Sequence, residues 1–221
     1  MKIAMGRLLV LAGILTLAAA GCATKAPDVI NINGMIPIKD TKLPNVRAYQ
    51  IPSFDRAKYH GLYIEPATLY SGPDADFGST SLEDRQRIAA RLTSEMQRVL
   101  APDFRLVNAP GPGVVRVHLT LVGINQSHPV LSTALRLTPV GLVLSAGHAV
   151  MDKPAAFVGS INMAGVAYDS ESGQVLAAVQ AVISPSAVDL TSGLTPLRAA
   201  ELSTTRAAQA FRDYLLRTRG S

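Results

Sequence analysis

The sequence predicts an α+β domain, a mostly antiparallel sheet of four to five strands with two helices packed on one face. Three observations predict it. Residues 114–125 alternate with period two: Val115, Val117, Leu119 and Leu121 point one way, and Arg116, His118 and Thr120 the other. That is the pattern of a strand with one face in a core and one face wetter. Residues 157–168 and 174–182 are strand-like runs on either side of Asp169-Ser170-Glu171-Ser172-Gly173, a hairpin loop in which Gly173 can take a positive φ. Two amphipathic helical stripes bracket these strands. Strands outnumber helices and the long ones are hairpin-linked, which argues for helices on one face of an antiparallel sheet.

The elements follow in chain order. Lys2 and Arg7 precede an apolar run, residues 8–20, that ends in Ala19-Ala20-Gly21-Cys22. At about 13 residues the run reaches only about 20 Å, against the roughly 30 Å hydrocarbon core of a bilayer. A charged start, a short apolar run and small residues at its end make residues 1–21 a cleaved signal peptide. Cys22 is the only cysteine of the 221 residues. One cysteine cannot close an internal disulfide, and a free thiol is a liability in an oxidising compartment. Thioether attachment of lipid to Cys22 resolves both points. The end of the run resembles the lipobox of bacterial lipoproteins, with Gly21 in its usual place and Ala19 where leucine is most common. Ala23, where retention at the inner membrane would call for aspartate, implies the outer membrane by that resemblance.

Residues 22–58 show no sustained period and are punctuated by Pro27, Pro37, Pro44 and Pro52. They read as the lipidated cysteine and a tether whose extended length is on the order of 100 Å, with the part from Tyr49 to Tyr59 able to pack on the domain. The periplasmic α+β domain is expected over 59–221. Residues 62–70 read as its first strand, with Pro66 marking an edge or bulge. Thr80 and Glu83 have the spacing of a capping box, and Ile88, Leu92, Met96 and Val99 follow at helical spacing. Arg85, Arg91, Glu95 and Arg98 are expected on the other faces. Residues 104–107 read as a short strand and 110–113 as a turn before the strand at 114–125. Thr195-Pro196 reads as an N-cap followed by proline at the first helical position. The last helix runs to about Arg217 on a stripe of Leu197, Ala200, Thr204, Ala207, Phe211 and Leu215.

Residues 128–150 are apolar and small, interrupted by Arg136, Pro139, Gly141, Gly147 and His148. Pro139 and Gly141 argue against a spanning helix. Two readings stand: short helices or a loop packed on the sheet, and a surface that touches the membrane or an envelope protein partner.

Tyr63-Ile64-Glu65-Pro66, Thr138-Pro139-Val140-Gly141, and Tyr168-Asp169-Ser170 followed by Gly173-Gln174-Val175-Leu176-Ala177-Ala178 carry a further resemblance. On them, residues 59–217 resemble a family of Gram-negative lipoproteins known only as a domain of unknown function. The resemblance implies location and architecture and brings no activity with it.

Composition and motifs narrow the chemistry. The hydrophobic fraction of 48% marks a globular chain. The formal charge of +5 falls to about +3 once Lys2 and Arg7 leave with the signal. The arginines are scattered and aromatics are few, which disfavours nucleic acid. There is no G-x-S-x-G elbow. His60, His118, His128 and His148 form no metal-binding pair, although a turn after Asn125 would let His118 and His128 meet. The paired acids Glu83-Asp84, Asp74 with Asp76, and Asp169 with Glu171 fall in caps and turns. Gly111-Pro112-Gly113 lacks an N–H that a phosphate cradle needs. No catalytic, metal or cofactor residue is expected, and Cys22 is the one residue assigned covalent chemistry. The expected function is a non-enzymatic, outer-membrane-anchored periplasmic lipoprotein serving as a binding or envelope-assembly module. The alternatives are an envelope hydrolase with unrecognised residues, and a lipid or small-ligand carrier. For the carrier, small residues such as Ala177, Ala178 and Gly165 either leave room for a ligand or permit tight packing.

Overall fold

The computed structural model describes residues 30, 33–37, 46–125, 159–185 and 195–217. In order it contains β1 (Ile36–Pro37), β2 (Val46–Gln50), a 3-10 turn at Arg56–Lys58, β3 (Gly61–Ile64), β4 (Thr68–Leu69), α1 (Leu82–Leu100), β5 (Val114–Asn125), β6 (Ser160–Asp169), β7 (Val175–Ile183) and α2 (Pro196–Arg217). (α2 is the second of the two α-helices among the described residues.) The seven strands form one sheet in the order β1-β2-β7-β6-β5-β3, with β4 also paired to β5. Every pairing is antiparallel except those of β3 and β4 with β5. The fold is therefore the expected α+β class with a mostly antiparallel sheet, wider than the four to five strands expected.

The extra width comes from two places. Residues 46–50, within the stretch read as tether, form β2 and pair with β7 along its length, from Val46 opposite Ala181 to Gln50 opposite Ala177. Without β2, the outer N–H and C=O groups of β7 would lack ladder partners. Ile36 and Pro37 then pair with Gln50 and Tyr49. At the other edge the strand read over 62–70 is broken by Glu65-Pro66-Ala67 into β3 and β4. Proline cannot donate to a ladder, and the N–H of Ala67 turns away to donate to Thr93 Oγ1 of α1 at 2.8 Å. Residues 104–107 give a single bridge, Leu106 to Leu62, rather than a strand.

Strand β5, the most strongly alternating, keeps its expected bounds of 114–125, while β6 spans Ser160–Asp169 against the expected 157–168 and β7 spans Val175–Ile183 against 174–182. Leu119, Leu121 and Ile124 of β5, and Ile161 and Met163 of β6, bury against α1 and α2. Strand β5 carries an irregularity at Leu121–Gly123, and an added Cβ on Gly123 would collide with the backbone oxygen of Asp76. The β6–β7 turn closes as its residues imply. Gly173 has φ +70°, and Asp169 Oδ1 accepts from the N–H of Glu171 at 3.0 Å and of Ser172 at 2.7 Å.

The caps divide. Thr195 Oγ1 accepts from the N–H of Arg198 at 3.2 Å, as expected of an N-cap. At α1 the cap is Ser81, one residue beyond the expected Thr80, and its Oγ accepts from the N–H of Asp84 at 3.1 Å. Glu95, expected on an outer face, is 9% exposed. It is held by Arg98 at 2.6 Å and Arg91 at 3.6 Å. Ala199, Ala200, Ser203, Thr204, Ala207 and Ala208 of α2 are all buried. Ser203 returns its hydroxyl to Ala199 O at 2.8 Å, so a face of small residues lets the two helices approach closely. Arg212 Nε donates to Asp103 Oδ2 at 2.6 Å and ties α2 to the end of α1.

Two substitutions test this packing in urea unfolding. Leu92→Ala, at a fully buried site, is expected to cost about 3 kcal/mol. Ser81→Ala is expected to cost about 1 kcal/mol through loss of the cap.

Candidate functional site

Among the described residues a cleft lies on the helix side of the sheet. α1 packs on β3, β4 and β5, and α2 packs on β6 and β7. Strand β2 lies beyond β7. Cα partners share a face, so the register places Val46 with Ala181, and Ala48 with Val179 and Gly165, on one face. These residues form the floor, and Ala207, Ala210, Phe211 and Tyr214 of α2 form the wall. The cleft encloses about 120 Å³. Among the described residues its lining is apolar, aliphatic and thioether apart from Phe211 and Tyr214, and includes no carboxylate, imidazole or amine.

The small residues divide between the two roles that sequence left open for them. An added Cβ on Gly165 would sit 3.1 Å from Val179 Cγ1 and 3.3 Å from Leu119 Cδ2. Glycine there permits close packing. Ala178 buries on the opposite face with Ile30, Val122 and Ala164. Ala177 and Ala48 are only partly buried and line the cleft, so these two leave room.

On the opposite face, near the β3–β4 edge, lies a polar chain. Arg116 Nη1 donates to Glu65 Oε1 at 3.0 Å, and His118 Nδ1 lies 2.9 Å from Glu65 Oε2. His118 Nε2 lies 3.1 Å from Thr68 Oγ1. With Nδ1–H on the carboxylate, a neutral imidazole presents Nε2 as an acceptor to the threonine hydroxyl. Arg116 also stacks over Tyr168, 4.4 Å from the ring centroid. Sequence alternation put Arg116 and His118 on this face. It did not show that the parallel pairing of β4 brings Thr68 opposite Thr120, two residues from His118. Burial disfavours the charge on Glu65, but the hydrogen bonds from Arg116 and His118 outweigh it and hold the carboxyl below its usual range. Next along the sheet, Tyr59 donates its hydroxyl to Asp169 Oδ2 at 3.0 Å. Burial and then that bond push the Tyr59 phenol up to about 12.

The acid–imidazole–hydroxyl order is the connectivity of a hydrolytic triad. Here the chain lies on the wet side of the sheet, with the His118 side chain 32% exposed, and the sheet separates it from the cleft. Its evident structural effect is to fasten residues 65–68 onto β5. Cys22, residues 128–150, His128 and His148 lie outside the described residues. His60 donates its backbone N–H to Gly113 O at 2.9 Å. Among the described residues no group of three or more His, Cys, Asp or Glu is placed to hold a metal, and no helix is long and apolar enough to cross a membrane.

The family model "Protein of unknown function (DUF3313)" matches residues 29–211. The chain belongs to that family. The match begins before β1, in agreement with β1 and β2 as parts of the sheet. The resemblance read from residues 59–217, to a family without assigned function, is met. Among relatives, the chain is similar to the uncharacterized lipoprotein YdcL of Escherichia coli K12 and of E. coli O157:H7. Identity is 28% over 159 residues, covering 66% of this chain and 70% of each relative. Among solved structures, the PelC dodecamer from Paraburkholderia phytofirmans aligns in two crystal forms with TM-score 0.35 and 11% identity. The alignments cover 76% of this chain and 95% and 98% of those chains.

The pH dependence of the polar chain follows from the lowered Glu65 carboxyl. Its stabilisation is fully present above the ordinary value of 4.5 and is lost as pH falls through the lower folded-state value. Glu65→Gln is expected to lower stability at pH 7 by about 1 kcal/mol, the scale of a partly exposed charged pair. The difference from the unsubstituted protein should shrink as urea curves are repeated toward pH 3.

Proposed function

We propose that this chain is a lipoprotein held at the outer membrane through lipid on Cys22, with its α+β domain facing the periplasm, and that it works as a non-enzymatic binding or assembly module of the cell envelope. The leader, the lone Cys22 and Ala23 support the anchor and its membrane, and the lipoprotein relatives agree. The observation that carries the binding role is the cleft beside α2. Its carbon-rich walls offer contact and exclusion of water, whereas acid, base and nucleophile chemistry would need titratable groups converging there. Residues 128–150 are a second apolar stretch of the sequence, which fits a protein partner in the envelope.

A second reading, an envelope hydrolase, is favoured by one observation, the Glu65–His118–Thr68 chain. Hydrolysis of a chromogenic ester that is lost in both His118→Ala and Thr68→Ala would favour it over the binding module.

The anchor is tested by Cys22→Ala in cells fed labelled palmitate and fractionated on a density gradient. Two or more acyl chains anchor stably. The unsubstituted protein should therefore carry label and sediment with outer membrane, and the variant should carry none and accumulate as precursor. Unchanged processing and fractionation would remove the anchor from the account.

A further inference from the structure

We infer that the cleft beside α2 seats the end of a single aliphatic chain, contributed by a phospholipid of the membrane to which the domain is tethered. The inference rests on the membrane-anchored binding reading and names the ligand class of that site.

Chemistry comes first. The floor of Val46, Ala48, Ala177 and Val179 and the wall of Ala210 and Phe211 offer carbon surface. A ligand atom that hydrogen-bonds water would lose that bond on entering and find little in return. Headgroups, sugars and extended peptide, with an N–H and a C=O per residue, are therefore poor occupants. Hydrocarbon loses nothing by entering.

Size and shape agree. An apolar cavity of about 150 Å³ accepts a benzene-sized guest. At about 120 Å³ the cleft is somewhat smaller, room for a guest of roughly four or five carbons. That suits the end of a chain, not a whole lipid. The rest of the chain also has a path. Ile36 stands opposite Gln50, and Gln50 opposite Ala177. Register therefore puts Ile36 on the same face as the cleft, where it is 46% exposed, one of the large hydrophobic residues left open to solvent. On that face the line from Ala177 to Ile36 passes the polar Gln50, and Ala48, diagonal to Ile36, brings the apolar surface of β2 up to β1 beside it.

Position completes the argument. β1 and β2 are the strands by which the chain arrives from Cys22. Ile30, buried on the opposite face six residues before Ile36, lies 8 residues beyond Cys22, a reach of at most about 26 Å at roughly 3.3 Å per residue. The tether therefore holds the domain close to the membrane, and the β1–β2 edge beside the cleft follows directly on its attachment point.

The test uses the full lipidated chain in phosphatidylethanolamine–phosphatidylglycerol vesicles containing a trace of phosphatidylethanolamine with a diazirine at one acyl end. After illumination, adducts are mapped by peptide mass spectrometry. Adducts are expected on peptides spanning residues 46–50 and 207–214. Ala48→Leu and Ala210→Leu, which fill the cleft from opposite sides, should each reduce them about tenfold, as when roughly two methylene groups lose their seat. Circular dichroism and urea midpoints check that each variant folds, and either one alone suffices to read the effect. Adducts absent from these peptides, or unchanged by the folded variants, overturn the inference. Cleft peptides labelled only in a Cys22→Ala protein mixed with the same vesicles would mean that the protein's own lipid fills the cleft, which overturns the phospholipid source. Vesicle flotation reads the anchor separately. Protein that floats without cleft adducts overturns the acyl-chain inference alone, and protein that fails to float overturns both readings.

Discussion

Hydrogen-bonded strands lie about 4.8 Å apart, and packed helices about 8–10 Å apart. A sheet six strands across spans about 24 Å between its outer axes, whereas two helices of about 10 Å diameter cover about 20 Å. Among the described residues the helix layer is narrower than the sheet. The small-residue face of α2, from Ala199 to Ala208, draws α1 and α2 together and widens the mismatch. Both helices sit over the β3–β5–β6–β7 side of the sheet. What is left over is the helix-side surface of β7 and β2, and there, apart from Gln50 at the end of β2, the side chains are small and apolar. The cleft is the geometric remainder of the two described helices on too wide a sheet.

The rest of the structure accommodates that constraint. Exposed sheet edges invite pairing with other chains. One edge is closed by the two-residue β1, which contains Pro37. At the other, Leu106 bridges Leu62 of β3. Parallel strands such as β3 and β4 cannot be joined to β5 by a tight turn, and here α1 makes the crossover. Additional ties come from Glu65, Thr68, Arg116 and His118 on the wet face, and from the N–H of Ala67 to Thr93 on the helix side. The polar chain and the cleft thus lie on opposite faces of the sheet, one near each edge. That division is why we read the polar chain as a fastening and the cleft as the site.

Much of the fold was legible in the sequence because its long elements obey a single period. Val115 to Leu121 alternate without exception, the Asp169–Gly173 loop carries its own turn chemistry, and Ile88, Leu92, Met96 and Val99 can only be one helical face. β2 was not legible. Val46-Arg47-Ala48-Tyr49-Gln50 is short, its inward residues are small, and its pairing partner lies more than 120 residues away. Thr80 and Ser81 are adjacent cap formers, and only the backbone decides between them. Glu95 reads as a surface residue until α2 is placed beside it. The cleft was half legible. Ala177 and Gly165 stood out as small, yet one leaves space and the other closes it, and that depends on what lies across from each. The contact of Thr68 with His118 joins residues 50 apart through parallel pairing, for which local sequence carries no signal.

The central claim is that the remainder of the helix layer is an apolar binding surface. Methyl NMR of alanine-labelled protein titrated with decanoate below its micelle concentration tests it most directly. Ala48, Ala177 and Ala210 line the cleft, whereas Ala89 and Ala200 are buried in the core away from it. The account predicts saturable shifts at the first three methyls and none at the other two. Uniform small shifts at all five, or no saturation at any, would contradict it.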